Sequence, residues 1–187
     1  MEIKEILQDI TSELSSCFEE LQEGQLKELE NRIKKADKIF AAGAGRSLMM
    51  IRGLAMRLMH MGFQSYVVGE TVTPAIEPGD LLIIASGSGS TGTLTVIAQK
   101  CKKIGAELAL ITTMPDSPIG QIADCIVEVK AATTKSDANT RKTFQPGANT
   151  FEQSVMLIGD AIFIDIISDG DLEENNRKLM KKHANLE

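Results

Sequence analysis

The sequence predicts an α/β fold: a doubly wound, five-stranded parallel sheet preceded by an N-terminal helical arm. Two observations carry that prediction. After Lys38, short apolar runs alternate with amphipathic stretches of helical period, the rhythm of successive βαβ units. Before Lys38 there is only helical periodicity, so the arm precedes the sheet.

In the arm, Ile3, Leu7, Ile10, Leu14, Cys17 and Leu21 alternate spacings of four and three, which places them on one stripe of a helix. Gly24 interrupts that helix, and a second run follows with Leu26, Leu29 and Ile33 among charged residues. The stripe has to be buried somewhere, either on the chain's own sheet or against another subunit, and the two are not exclusive. The sheet then reads as strands at Ile39–Ala42, Ser65–Val68, Leu81–Ala85, Leu108–Thr112 and Cys125–Val129. Between them lie helices at Arg46–Met61 and Thr91–Lys103 and a short one at Ser117–Ile122. From Lys130 to Ala148 the chain is polar and aperiodic, with four cations against Asp137. Such a long loop is a mobile surface segment or a binding loop. A long apolar helix begins near Asn149 and reaches Ile167, and a charged helix from Asp171 ends in the polar tail His183-Ala184-Asn185-Leu186-Glu187.

The 187 residues fit one domain of ordinary size. It divides into helices over 1–35, a sheet core over 36–168 and a helix with a tail over 169–187. That leaves no length for a regulatory appendage. The net charge of −6, the absence of Trp and only six Phe and one Tyr argue against nucleic acid as a partner, which needs a basic face or stacking aromatics. No continuous apolar stretch of about 18 residues and no signal-peptide core is present, so the expectation is a cytoplasmic protein with no membrane contact. Cys17, Cys101 and Cys125 are an odd, dispersed set without a CxxC pair, as in a reducing compartment.

The chemistry concentrates in Ser86-Gly87-Ser88-Gly89-Ser90-Thr91, which follows the third strand and opens a helix. Small residues let successive N–H groups converge, hydroxyls add donors, and the helix N-terminus adds partial positive charge, so the segment reads as an anion cradle. No Lys follows these glycines as a P-loop requires, and no serine sits in G-x-S-x-G. The turn Gly43-Ala44-Gly45-Arg46-Ser47-Leu48 has two glycines of a dinucleotide fingerprint, but Leu48 stands at the third. It reads better as a loop lending Arg46 and Ser47 to a ligand, since a cation at a helix start opposes the dipole and wants another reason. Glu152 follows Asn149 by three residues. It is either the acid of a capping box or a general base. The two histidines, His60 at a helix end and His183 in the tail, have no ligand partners at metal spacing, so neither metal nor cofactor is called for.

The parallel sheet with Ser86, Ser88 and Thr91 in a Ser-x-Ser-x-x-Thr loop after its third strand resembles the SIS (sugar isomerase) domain family. Within it, Gly43 to Ser47, the Gln145-Pro146-Gly147 approach to Phe151-Glu152-Gln153 and the closing His183 to Glu187 are similar to the 6-phospho-3-hexuloisomerases. The resemblance implies a flavodoxin-like strand order and a cofactor-free isomerisation of D-arabino-hex-3-ulose 6-phosphate to fructose 6-phosphate. That reaction belongs to formaldehyde fixation by the ribulose monophosphate route. It implies Glu152 as the base acting through a 2,3-enediol, the 86–91 loop as phosphate cradle, and Arg46 with Ser47 on the developing oxyanion or the sugar hydroxyls. His60 or His183 would shuttle a proton, with the helix end or tail supplied by a neighbouring subunit of a homo-oligomer, a dimer or tetramer. Another phosphosugar isomerase, for arabinose 5-phosphate or sedoheptulose 7-phosphate, or a non-catalytic sugar-phosphate sensor are the alternatives.

Overall fold

The computed structural model describes residues 2–131, 143–168 and 171–186. Helices α1 (Ile3–Phe18) and α2 (Glu23–Lys35) form the arm. They lead into β1 (Ile39–Gly43), α3 (Gly45–Met61), β2 (Ser65–Val67), β3 (Leu81–Ala85), α4 (Gly92–Ile104), β4 (Glu107–Thr112) and β5 (Cys125–Glu128). Helices α5 (Asn149–Ile167) and α6 (Leu172–Met180) follow. The five strands are parallel in the order β2-β1-β3-β4-β5, with Ile39 opposite both Ser65 and Leu81. The order reverses between β1 and β3, and ligands of such sheets sit outside the carboxyl ends of the strands at that reversal.

Because strand side chains alternate, each central strand feeds two cores. Ile39, Ala41, Leu81, Ile83, Ala109 and Ile111 face one layer, formed by α2, α3 and α5 with Leu29, Ile33, Ile51, Leu54, Phe151 and Val155. Phe40, Ala42, Leu82, Ile84, Leu108 and Leu110 face the other, where α4 supplies Leu94, Ala98 and Cys101. Helices α3 and α4 both stop at a left-handed glycine, Gly62 (φ 101°) and Gly105 (φ 93°), where only a residue without Cβ adopts that conformation freely.

Three expectations change. Gly24 lies inside the first turn of α2, and the break falls before it, between Phe18 and Glu23. The helix expected at Ser117–Ile122 is a single 3-10 turn, Gly120–Ile122. The greasy stripe of α1 is split: Leu14 and Cys17 are buried, whereas Ile3 and Leu7 are 79% and 58% exposed. Most of the aperiodic segment 130–148, namely 132–142, lies outside the described residues. Its end is a 3-10 turn, Pro146–Ala148, running directly into α5.

Candidate active site

A crevice of about 230 Å³ opens at the carboxyl ends of β1 and β3, where the strand order reverses. The turn after β1 brings Arg46 and Ser47 to it, and the loop after β3 brings Ser86, Gly87, Ser88 and Thr91. Gly147, Phe151 and Glu152 close it from the entry to α5. Three segments distant in sequence meet there because α3 and α5 pack side by side with both N-termini at the crevice.

The cradle is built to stay fixed without ligand. Ser86 N–H continues the sheet by donating to the Ile111 carbonyl (3.0 Å). The Gly87 carbonyl accepts from Thr112 Oγ1 (3.1 Å), Thr113 Oγ1 (2.9 Å) and Thr113 N–H (3.2 Å), which ties the loop to the end of β4. Gly89, at φ 55°, has no room for a side chain, since a Cβ would stand 1.9 Å from Ser117 Oγ. Gly89 and Ser90 do not line the crevice: Gly89 packs the loop down, and Ser90 is exposed. Thr112, Thr113 and Ser117 are supports that sequence reasoning missed, and hydroxyl residues at the end of the fourth apolar strand and just beyond it were the available signal.

Of the three helix starts at the crevice, those of α3 and α4 are left uncapped by side chains. Ala44 precedes α3 and has no side chain to cap with, and Thr91 precedes α4 without using its hydroxyl on the helix. Neither first turn carries an acid. Their first N–H groups and the Thr91 hydroxyl are therefore free to meet an anion, and both dipoles favour one. Gly43 makes the first turn tight enough, because a Cβ there would stand 2.9 Å from the Leu48 backbone.

Opposite the cradle stands Glu152. Asn149 already has helical dihedrals (φ −53°, ψ −38°), and its side-chain oxygen accepts from Arg46 Nη1. The Asn149–Glu152 capping box is thus not formed, and the carboxylate is not consumed by the helix. Glu152 Oε2 is buried without a hydrogen bond and lies 3.3 Å from Arg46 Nε. Burial pushes its pKa above the ordinary carboxylate value, and the Arg46 charge pulls the other way without cancelling the rise. An unbonded carboxylate with a raised pKa, facing an anion cradle and braced by a guanidinium, is equipped to take and return a proton.

The histidines are not brought to this crevice. His60 closes α3, about 21 Å from Arg46 at the helical rise of ~1.5 Å per residue, and is only 3% exposed. Its ring stacks on His183, with centroids 5.1 Å apart. A buried ring at the far end of the helix has no route to a ligand in this chain's own crevice. Among the described residues no group of three or more His, Cys, Asp or Glu is gathered as a metal site.

The fold and this crevice define a class: doubly wound α/β domains whose ligands meet the carboxyl ends of the strands at the strand reversal, here with helix N-termini facing the crevice and Glu152 across from them. The chain belongs to the SIS domain family, whose profile matches residues 32–157. It is 37% identical over 187 residues, the whole of both chains, to the 3-hexulose-6-phosphate isomerase of Bacillus subtilis. To the enzyme of that name from Mycobacterium gastri it is 38% identical over 192 residues, 99% of this chain and 95% of that one. Among solved structures, it superposes with a TM-score of 0.82 and 34% identity on a hypothetical protein of Methanococcus jannaschii. That match covers 98% of this chain and 99% of the other, whose structure is described as inferring a function of 3-hexulose-6-phosphate isomerase.

Proposed function

We propose that this protein is a ketose phosphate isomerase that interconverts D-arabino-hex-3-ulose 6-phosphate and fructose 6-phosphate through a 2,3-enediol, the isomerisation step of the ribulose monophosphate route. The observation that carries it is the unbonded Glu152 carboxylate across the crevice from the Ser86–Thr91 cradle. The phosphate dianion sits on Ser86, Ser88, Thr91 and the start of α4, and its binding energy holds C2 and C3 beside Glu152. The carboxylate removes the C2 proton, the C3 carbonyl oxygen takes up negative charge, and Arg46 with Ser47 stabilises it. Return of the same proton to C3, with passage of the O2 proton to the O3 oxyanion, gives the 2-ketose and leaves no proton over. One carboxylate serves both steps, and neither metal nor cofactor takes part.

His60 and His183 are left out of these steps, since a second copy of the chain would have to deliver them. Self-association itself is part of the proposal. It is supported by exposed apolar side chains on α1 (Ile3, Leu7) and on the α3–α5 face (Met49, Met56, Met156, Ile164). We place the protein in the cytoplasm as a single functional unit over 1–187. Three buried cysteines, none of them in a disulfide, support a reducing compartment, as does burial that holds the Cys101 and Cys125 thiols up at about 11. No helix among the described residues is long and apolar enough to cross a membrane.

The test is a coupled assay in which a synthase generates the 3-hexulose 6-phosphate and fructose 6-phosphate formation is read. Turnover by the wild-type protein is expected. Tight binding of fructose 6-phosphate with no turnover would replace the enzyme by a sensor, and no interaction with either sugar would overturn the substrate class.

A further inference from the structure

The Glu152 carboxylate meets the crevice with Oε2 unbonded, so its aim depends on the helical turn that carries it. That turn starts abruptly. Asn149, where a capping side chain would stand, is already helical, and its side-chain oxygen is taken by Arg46. Just before it, Gly147 is left-handed at φ 70°, a residue whose backbone is free to adopt many conformations. Helix ends fray where their groups lack outside partners, and fraying here would move the base.

A partner comes from α1. The buried Thr150 donates its hydroxyl hydrogen to Glu13 Oε1 and accepts from Gln145 Nε2 (3.1 Å), so the hydroxyl is used in both directions. Gln145 is itself buried, and its backbone N–H donates to Thr143 Oγ1 (3.0 Å). One hydroxyl thus ties together the arm, the first turn of α5 and the loop that approaches it. One turn on, Ser154 Oγ donates to the Thr150 carbonyl (2.7 Å) and lies 3.9 Å from Cys17 Sγ. Glu13 and Cys17 are four residues apart, as are Thr150 and Ser154, so α1 and α5 run side by side in the same direction here. A half-buried carboxylate next to the buried Leu14 costs desolvation unless it is bonded, and what bonds it is a hydroxyl two residues from Glu152. An acid at the start of α5 is also favoured by the helix dipole. Glu13 supplies one from a neighbouring helix, which leaves Glu152 to the crevice.

We propose that Glu13, acting through Thr150, is a positioning residue for Glu152: a carboxylate of the N-terminal arm that fixes the first turn of α5 and so aims the base. This rests on the isomerase reading, in which Glu152 moves the proton. The phosphate cradle is braced from β4, by Thr112 and Thr113 on the Gly87 carbonyl, and not by the arm. Loss of Glu13 therefore acts on proton transfer and spares phosphate binding.

The experiment is the coupled assay, run together with amide hydrogen exchange on the unliganded protein, for wild type, Glu13→Ala and Glu13→Gln. Glu13 is half-buried within a helix, where Ala is well tolerated, so these variants fold. Glu13→Ala should lower kcat about 10- to 100-fold, as a base displaced by about 1 Å would, with KM near the wild-type value. The amides of Gln153 and Ser154, whose helical acceptors lie in that first turn, should exchange about tenfold faster. Glu13→Gln keeps an acceptor for Thr150 and should restore both. Thr150→Val should reproduce Glu13→Ala, and the two together should lose no more than either alone. Unchanged kcat in Glu13→Ala overturns the proposal, as does a loss that Glu13→Gln shares, or losses that multiply in the double variant. A rise in KM with kcat unmoved also overturns it, by placing the effect in the cradle. No turnover by the wild type is a different failure: it removes the isomerase reading, and the exchange rates alone then decide whether Glu13 pins α5.

Discussion

Arg46 Nε stands 3.3 Å from Glu152 Oε2, an oxygen that is buried and accepts no hydrogen bond. The two residues are 106 positions apart in sequence and meet because each sits in the first turn of its helix, with α3 and α5 packed side by side. The guanidinium is in turn held by the Asn149 side chain. Charge compensation without a hydrogen bond leaves the carboxylate lone pair available while keeping it ionised more than burial alone would allow.

That arrangement fixes what losing Arg46 should do. Burial is the larger influence on Glu152 and raises its pKa, while Arg46 lowers it. Arg46→Gln should therefore raise it further, and the acid limb of the pH profile of kcat/KM should move to higher pH. Loss of a charged donor from a developing oxyanion should also lower kcat/KM about 10- to 100-fold, from ~1.5–3 kcal/mol per such bond. A pH–rate profile of the variant with an unmoved acid limb would mean that Arg46 acts on the substrate alone.

Glu152→Gln separates activity from stability. Removing the base should lower kcat by about 10²–10⁴-fold. Stability should change in the opposite sense. A carboxylate whose pKa is higher in the folded than in the unfolded chain binds more protons when folded, so its ionisation destabilises the fold above the folded pKa. That cost vanishes below the unfolded value, near ~4.3. The variant should thus melt higher than wild type at pH 7 and match it near pH 4. Thermal melts at the two pH values check this, and a lower Tm at pH 7 would show that the carboxylate has a structural bond.

How far the sequence reached can be judged at these same residues. The strands were legible because each is a short apolar run set off by turns, and Leu81–Ala85 agrees to the residue. Arg46, Ser47, Ser86, Gly87, Ser88, Thr91 and Glu152, picked out in the sequence as candidates because glycines and hydroxyls cluster between a strand and a helix and charges stand at helix starts, are brought to one crevice. What the sequence could not show was distance. Asn-x-x-Glu looks like a capping box until the turn Pro146–Ala148 is seen to run straight into α5 and leave Asn149 helical. His60 stood out as one of two histidines, with a neighbouring subunit to supply it; within one chain it lies buried at the end of α3 away from the crevice, stacked on His183. Gly89 looked like cradle, but the collision a side chain would make with Ser117 is a tertiary fact with no local signature.

The cradle offers a test of binding apart from folding. Thr91 stands at the N-cap of α4 but makes no capping bond, so Thr91→Val forfeits none of the ~1 kcal/mol that losing a working cap costs. Its Tm should stay near wild type while KM rises about tenfold through one lost bond to phosphate. Gly89→Ala should do the reverse of that pattern. It forces a side chain at φ 55° into Ser117 and should cost about 1–3 kcal/mol of stability, partly recovered by adding Ser117→Ala. Chemical denaturation with steady-state kinetics distinguishes the two. An unstable Thr91→Val would show that the hydroxyl caps the helix after all.

The α3–α5 face gives the last expectation. Met49, Met56, Met156 and Ile164 are 63%, 48%, 42% and 55% exposed, and on α3 and α5 they adjoin the helices that carry Arg46 and Glu152. Exposed apolar side chains gathered on one face of paired helices are a liability in a monomer and an asset in an interface. A charge placed among them should cost little in the isolated chain, because these side chains already meet water, but much in an assembly that must desolvate it. Met56→Lys combined with Met156→Lys should therefore reduce the mass measured by light scattering while leaving the far-UV circular dichroism unchanged. A wild-type protein that runs as a monomer, or an assembly that survives both lysines, would move the interface elsewhere, with the exposed Ile3 and Leu7 end of α1 as the next surface to charge.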